Sequence, residues 1–378
     1  MNQARTLVIF AAIVSGCTQA PDDSLPDDLS GGDLVSAGAD MAGSDMARAD
    51  LAFKSGWTQV IAASGLRFNA VWASGPDDIY AVGLNGTIFH STGDDVWTQQ
   101  KTGRMNELTS VFGSSKSDVY AVESSAVLHS TGDGRWSVVP GIPSETFSSL
   151  HRVWMASPSR VYFAGATGRS VPANMTGGTN IMQWNQTKLM PEYAAAEHSL
   201  LGLWGSDPTD LWAVGSFAQG GGTSGLVLHS AGDGSWTPQR FEPESGTLYQ
   251  GTLTAVWSSS KTNVYAASGR NFIGSNSGIF RCSGPGTAWR RELDKMNPPA
   301  IYGLWGSGPA DVWAVGQITD GPNYNGVVLR SAGDGQWAPD PDLPAAMLKD
   351  YPLYGIWGSR FGDVYIVGQA GIILHRRE

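Results

Sequence analysis

Apolar residues along most of this chain come in short bursts that alternate with polar ones, and each burst is closed by Gly, Ser, Asp or Pro. The stretch around residue 310 is representative. Ile301-Tyr302-Gly303-Leu304-Trp305 is followed by a turn-forming run, Gly306-Ser307-Gly308-Pro309-Ala310, and then by Asp311-Val312-Trp313-Ala314-Val315-Gly316. Runs of this length, bounded by turn residues and rich in β-branched and aromatic side chains, predict strands. The second run is apolar on both faces, with Val312 and Ala314 to one side and Trp313 and Val315 to the other. That suits a strand in a sheet sandwiched between two other sheets. A third run is clearest in Gly225-Leu226-Val227-Leu228-His229-Ser230; a tight turn follows at Ala231-Gly232-Asp233-Gly234, and Trp236 opens a fourth.

This four-strand unit recurs. The aromatic that ends the first strand stands at Trp72, Phe112, Trp154, Trp204, Trp257, Trp305 and Trp357, about 40–53 residues apart, and such a period marks a repeat architecture. The Asp that opens the second strand is found at Asp78, Asp118, Asp210, Asp311 and Asp363, with Arg160 and Asn263 in its place in the third and fifth copies. The turn and its Trp return at Trp97, Trp136, Trp236, Trp289 and Trp337. The seventh copy stops after its third strand, Gly371-Ile372-Ile373-Leu374-His375. A lone strand of the fourth type, Ser55-Gly56-Trp57-Thr58-Gln59-Val60, precedes the first copy. The predicted fold is therefore all-β: a seven-bladed β-propeller of four-stranded blades over residues 55–378, its ring closed by the N-terminal strand completing the last blade.

The turns around Asp94, Asp133, Asp233 and Asp334 resemble the Asp-box of BNR-repeat propellers, with the spacing Ser-x-x-Asp-Gly-x-Trp in Ser230 to Trp236 instead of the strict Ser/Thr-x-Asp-x-Gly-x-x-Trp. The unit as a whole, with Trp212-Ala213-Val214-Gly215 before a Leu-His-Ser third strand, is similar to the repeats of photosystem II assembly-factor propellers. The resemblance covers residues 55–378 and implies the fold; propellers host unrelated activities, so it implies little about function.

Composition agrees with a turn-rich β protein: of 378 residues 49 are Gly and 15 are Trp, and only 15% are charged. The net charge of −10 is uneven, because residues 18–54 carry eight Asp against Arg48 and Lys54. The remainder shows no basic stripe, so nucleic acid is not an expected partner. That acidic segment, rich in Asp, Ala, Gly and Ser, has too little apolar surface to offset its ordering entropy and is expected to be a disordered tether. Ahead of it, Arg5 and the apolar run from Leu7 to Val14 have the layout of a signal peptide, too short to span a bilayer. The run ends in Val14-Ser15-Gly16-Cys17, which resembles the lipobox of bacterial lipoproteins. The resemblance implies cleavage after residue 16 and acylation of Cys17, with Thr18 next to it pointing to the outer membrane; several acyl chains together anchor a protein stably. The organisation expected is signal peptide 1–16, lipidated cysteine and tether 17–54, and propeller 55–378.

No catalytic, cofactor or metal constellation stands out. His90, His129, His229 and His375 share one third-strand position, whose counterparts in the other copies are Trp184, Cys282 and Arg330, and the repeat spreads them around a ring. Each Asp turn offers a single carboxylate, too few hard oxygens for Ca²⁺. The second-to-third loops vary in length on one face of the ring and expand at 166–180, 216–224, 269–277 and 317–325. Such elaboration on one face of a repeat protein commonly marks a binding face. With the longer blade-to-blade connections these loops carry Arg169, Phe217, Tyr249, Arg270, Phe272, Asn323 and Tyr324, candidates for contact with a protein or glycan. The expected function is an exported, membrane-anchored binding or assembly scaffold. The alternative is a glycan-active hydrolase or lyase whose carboxylates converge at the ring mouth.

Overall fold

The computed structural model describes residues 56–62, 65–142, 148–166, 179–243, 247–269, 277–293, 298–320, 322–360 and 362–377. Cys17, Arg169, Arg270 and Phe272 lie outside them. The repeats form antiparallel sheets, five of which have four strands. The remaining sheet has eight, in two halves of the same four-strand pattern joined by one backbone pair, Ala166 with Ser199. The halves meet because Arg160–Ala166 runs on to the start of His198–Asp207. In every unit the first strand is innermost: Phe68–Gly75, Leu108–Ser115, Ser149–Ser157, His198–Asp207, Leu253–Ser260, Ala300–Gly308 and Leu353–Arg360. These strands pack against one another in chain order, and the last packs against the first. The protein is an all-β propeller with four-stranded blades.

The lone N-terminal strand, Gly56–Ile61, pairs with Ile372–Arg377 from Gly56 opposite Arg377 to Ile61 opposite Ile372, and so is the fourth strand of the last sheet. Trp57 is buried there, edge-on to Trp313 at 6.0 Å, and donates its indole N–H to Asp340 Oδ1 at 3.1 Å.

The inner-strand aromatics pack in two ways. Trp72, Trp154, Trp257 and Trp305 each lie against the next inner strand at the residue after that strand's own aromatic, which is Gly in all four cases: Gly113, Gly205, Gly306 and Gly358. A Cβ at Gly113 would stand 2.6 Å from Trp72 Cη2, and one at Gly205 would stand 2.6 Å from Trp154 Cη2, so a larger residue has no room. Phe112, Trp204 and Trp357 instead converge, with Phe112 and Trp357 ring centroids 5.5 Å apart and Trp204 and Trp357 5.9 Å apart. The residues following their neighbours' aromatics are larger: Met155, Ser258 and Ala73. Trp204 and Trp357 donate indole N–H to the carbonyls of Ser258 (2.9 Å) and Ala73 (3.0 Å).

Farther out, the Asp that opens five of the second strands ties three strands together. Ser74, Ser206 and Ser307 donate to Oδ2 of Asp78, Asp210 and Asp311 at 2.5–2.6 Å. His90, His129, His229 and His375 place Nε2 2.8–3.0 Å from Oδ1 of Asp78, Asp118, Asp210 and Asp363. The carboxylate therefore stands between hydroxyl and imidazole, and the Ser is not activated as a nucleophile. One assignment from sequence is corrected here. Opposite the second-strand aromatics Tyr162 and Tyr265 the ladder places Gln183 and Arg281, not Trp184 and Cys282. A one-residue slip moves a side chain to the other face of a sheet. Cys282 instead stands where Ser91, Ser130, Ser230 and Ser331 accept the N–H of the Gly two residues on. It is buried, and desolvation pushes its thiol up to about 11.

The Trp that opens a fourth strand lies edge-on against the second-strand aromatic of the preceding unit. The pairs are Trp136 on Tyr80, Trp236 on Tyr162, Trp289 on Trp212, Trp337 on Tyr265, Trp57 on Trp313 and Trp97 on Tyr365. Each such pair contributes about 0.5–1.5 kcal/mol beyond its burial.

Candidate functional site

All seven inner strands carry a β-bulge at the same place, three residues before the aromatic, where one residue has no partner on the second strand. The bulged residues are Asn69, Thr109, His151, Leu201, Thr254, Tyr302 and Tyr354. A bulge re-aims a side chain, and these seven line one cavity of about 290 Å³ at the mouth of the central channel, together with Glu107 and Arg152. Phe112, Trp204 and Trp357 line the channel below.

Four of the bulged side chains also fasten neighbouring units. Asn69 donates to Leu108 O (2.8 Å), Thr109 to His151 O (2.9 Å) and Thr254 to Ile301 O (2.5 Å), and His151 Nδ1 lies 2.9 Å from Leu200 O. The next position along is small in six strands: Ala70, Ser110, Gly202, Ala255, Gly303 and Gly355. In the seventh it is Arg152. Its guanidinium donates to the carbonyls of Thr109 and His151, both at 3.1 Å. Burial pushes its pKa down to about 10, so it stays cationic at neutral pH. The carboxylate lining the mouth, Glu107, is already held by the Arg67 guanidinium and by Asn69 Nδ2 at 2.7 Å. Burial lowers the His151 pKa, with the Arg152 charge adding to it and the Leu200 hydrogen bond opposing. A neutral His151 that donates Nδ1–H to Leu200 keeps Nε2 as an acceptor. On the far side, Tyr302 and Tyr354 pack at 5.5 Å, with the Arg67 cation 5.5 Å from the Tyr354 ring. The mouth thus combines a desolvated cation, an aromatic pair and hydrogen-bonding groups around one cavity.

The candidate residues expected on the elaborated face separate into three kinds. Tyr249 belongs to the core, 4% exposed and edge-on to Phe241 and Phe280. Phe217 is half-buried and packs on His198 at 5.6 Å. Asn323 and Tyr324 are exposed, Tyr324 at 48%. The expansions around 216–224 and 317–325 are ladders more than loops. Asp210–Gln219 and Gly222–Ser230 pair without interruption up to Gln219 opposite Gly222, and Asp311–Asp320 pairs likewise with Asn323–Ser331. Gly220 and Gly221, at φ +59° and +82°, supply the positive angles of a tight two-residue turn. Both hairpins extend on the mouth side, since the ends of second strands stand level with the bulged starts of first strands, as Gly215 does with Leu200. The bulge ring itself was not legible from sequence, because nothing in an alternating pattern marks an extra residue.

The Asp turns use their carboxylates locally. Asp94, Asp133, Asp233 and Asp334 each accept, at 2.9–3.1 Å, the backbone N–H two residues on. Among the described residues no group of three or more His, Cys, Asp or Glu is placed to hold a metal ion, and no helix is long and apolar enough to cross a membrane.

The class of protein this geometry defines, a β-propeller, is also that of solved structures the chain resembles, among them the WD40 beta propeller domain of Doa1. The chain is similar to YCF48 bound to D1 peptide, with a TM-score of 0.62 and 16% identity over 86% of this chain and 98% of that one. YCF48 from Cyanidioschyzon merolae has a TM-score of 0.60 at 14% identity, over 85% of this chain and 98% of that one. Virginiamycin B lyase from Staphylococcus aureus has a TM-score of 0.62 at 12% identity, over 85% of this chain and 99% of that one. At such identities the likeness is one of fold. No protein-family model matches the chain, and no curated protein matches it.

Proposed function

We propose that this protein is a binding scaffold that holds a protein segment at the channel mouth, with Arg152 receiving a carboxylate of that segment. Arg152 carries the reading: it is a cation at a position small in every other unit, bonded only to carbonyls and facing a cavity of about 290 Å³ beside Tyr302 and Tyr354. A charge-assisted hydrogen bond there contributes about 1.5–3 kcal/mol. YCF48 with D1 peptide and the WD40 propeller domain of Doa1 are fold neighbours compatible with a binding role. The alternative, a glycan-active enzyme, has less support, because glycoside hydrolysis generally uses two carboxyl groups. The described lining of the mouth has Glu107, which is engaged by Arg67 and Asn69.

In this reading the ring has seven blades, the eight-stranded sheet counting as two, and the Asp turns are Asp-box relatives. The single pair between its halves and the return of inner-strand packing from the last unit to the first support that count. The protein is exported and anchored through acylated Cys17 in the cell envelope, at the outer membrane. In the same reading the mouth faces away from the bilayer, an orientation supported by the described chain starting at Gly56, level with Arg377 and on the side away from the mouth.

The test titrates the full mature chain with N-acetylated tetrapeptides that differ only in ending as a free carboxylate or an amide, followed by calorimetry. The expected result is a preference of at least tenfold for the carboxylate, abolished by Arg152→Gln with the far-UV spectrum unchanged. Equal affinity for both peptides, or undiminished preference in Arg152→Gln, would sink the reading.

A further inference from the structure

Beside Arg152 the channel mouth carries a second group free to meet a ligand. The bulge in the third unit puts two consecutive residues, His151 and Arg152, on the same cavity of about 290 Å³. Leu200 O can only accept, so the His151 Nδ1 that lies 2.9 Å from it carries the ring hydrogen. Burial and the adjoining Arg152 cation both disfavour a second proton, so Nε2 keeps a lone pair, and no described residue donates to it. The Arg152 guanidinium spends Nη1 on the carbonyls of Thr109 and His151, both at 3.1 Å, and keeps Nη2 and Nε for a ligand. Other polar groups of the bulge ring are occupied. Asn69 Oδ1 accepts from Arg67 Nε at 3.0 Å while its Nδ2 donates to Glu107 and to Leu108 O, and Thr109 and Thr254 aim their hydroxyl hydrogens at strand carbonyls. The cavity therefore presents a cationic donor and, one residue away, an open acceptor.

We propose, resting on Arg152 as the receiver of a carboxylate, that the mouth takes the C-terminal residue of a protein chain, with its carboxylate on Arg152 and its amide N–H on His151 Nε2. At a chain end one carbon carries both a carboxylate and an amide N–H. An Asp or Glu side chain holds its carboxylate one or two carbons farther from its own N–H, so it does not present the pair at the same spacing. The shape of the site agrees. Below the cavity Phe112, Trp204 and Trp357 close on the axis of the channel, with ring centroids 5.5–6.4 Å apart. A chain that enters has no way through, and must end there or double back. A cavity of about 290 Å³ stands at the small end of ligand pockets, which run from about 300 to 1,000 Å³, and so suits a last residue or two better than a folded-back loop. Glu107 does not compete for Arg152, because Arg67 and Asn69 already hold it.

Calorimetry on the full mature chain tests this with four N-acetylated tetrapeptides. The first ends in leucine with a free carboxylate and the second in leucine amide. The third is the ester analogue of the first, in which oxygen replaces the last amide N–H, and the fourth has an amidated end and a Glu side chain. The first is expected to bind at least tenfold more tightly than each of the others. His151→Asn keeps a side-chain N–H for Leu200 O but has no counterpart of Nε2. It is expected to weaken the first peptide at least fivefold and to leave the ester within twofold. Equal binding of ester and first peptide, equal binding of the Glu peptide and first peptide, or equal weakening of ester and first peptide by His151→Asn would each overturn the inference and leave Arg152 as a carboxylate receptor. Equal binding of the free carboxylate and the leucine amide would remove that reading and the inference together. The ester comparison uses the unmodified chain, so it decides the matter even if His151→Asn does not fold.

Discussion

The packing of Trp154 on Gly205 offers the sharpest test of how neighbouring units are held together. Alanine at 205 would bring its Cβ to 2.6 Å from Trp154 Cη2 and to 2.7 Å from both Trp154 Cζ2 and Leu211 Cδ2. All three atoms belong to buried side chains, so the strain cannot be relieved into solvent. Overpacking of this kind costs about 1–3 kcal/mol, against which a compatible Gly→Ala change recovers about 0.4–1 kcal/mol through the unfolded chain. A net loss of about 1–2 kcal/mol is expected for Gly205→Ala. Trp154→Phe removes the ring atoms that would clash and by itself costs about 1–3 kcal/mol as a large-to-small change in the core. In the double variant the smaller ring makes room for the new methyl, so the two losses should fall short of their sum by about 1 kcal/mol or more. Urea unfolding followed by far-UV circular dichroism measures all four proteins, and a constant m-value shows that native stability is what changed. Ala73→Gly is the control, because Trp357 leaves room for a methyl there, and it should cost less than about 1 kcal/mol. Additivity of Gly205→Ala and Trp154→Phe within about 0.5 kcal/mol would refute the claim that the indole dictates glycine at that position.

Further outcomes follow from the seam and the two cysteines. His375 is buried, with Nδ1 2.7 Å from Asp95 Oδ1 and Nε2 2.8 Å from Asp363 Oδ1. Burial alone would lower its pKa, but the two carboxylates outweigh it and the pKa is raised. The stabilisation is therefore complete below the unfolded value near 6.5 and is lost as pH rises through the raised folded value. Asp95 is the converse: burial opposes ionisation, but His375, Arg377 and Thr58 hold its pKa below the ordinary value, so its contribution is lost as pH falls through that lowered value. Melting temperature plotted against pH should decline across the His375 titration, and His375→Gln should flatten that limb; an unchanged slope would remove His375 from the seam. Cys282, with its thiol raised to about 11 from 9.0, should react with iodoacetamide at pH 8 about 100-fold more slowly in the folded chain than after unfolding; comparable rates would contradict its burial. Cys17→Ala should abolish metabolic labelling with radioactive palmitate and release the protein from the membrane fraction, whereas retained label would place the acyl chain elsewhere.

Much of the architecture is legible in the order of residues because each of its devices is local. Alternation with turn residues marks the strands, the period marks the repeat, and an orphan Trp57 strand beside an incomplete last copy marks the pairing that joins the chain's two ends. Even the choice of Gly after the aromatic, at Gly113, Gly205, Gly306 and Gly358, is written in the chain, although its meaning needs the neighbouring indole to be seen. Other features depend on the third dimension. Register decides that Gln183 and Arg281, not Trp184 and Cys282, stand opposite the second-strand aromatics, because a shift of one residue turns a side chain to the other face. An extra residue, repeated as a bulge in seven inner strands, turns Asn69, His151, Tyr302, Tyr354 and their counterparts into the rim of one cavity, with Arg152 beside them. These residues lie on different strands, and only packing around a common axis brings them within reach of one ligand. The sequence by itself determined the repeat and the strand that completes it, since both arise from contacts between near neighbours or copies of one unit. The tertiary structure alone decided where the propeller could hold something, since a site on the axis belongs to no single unit.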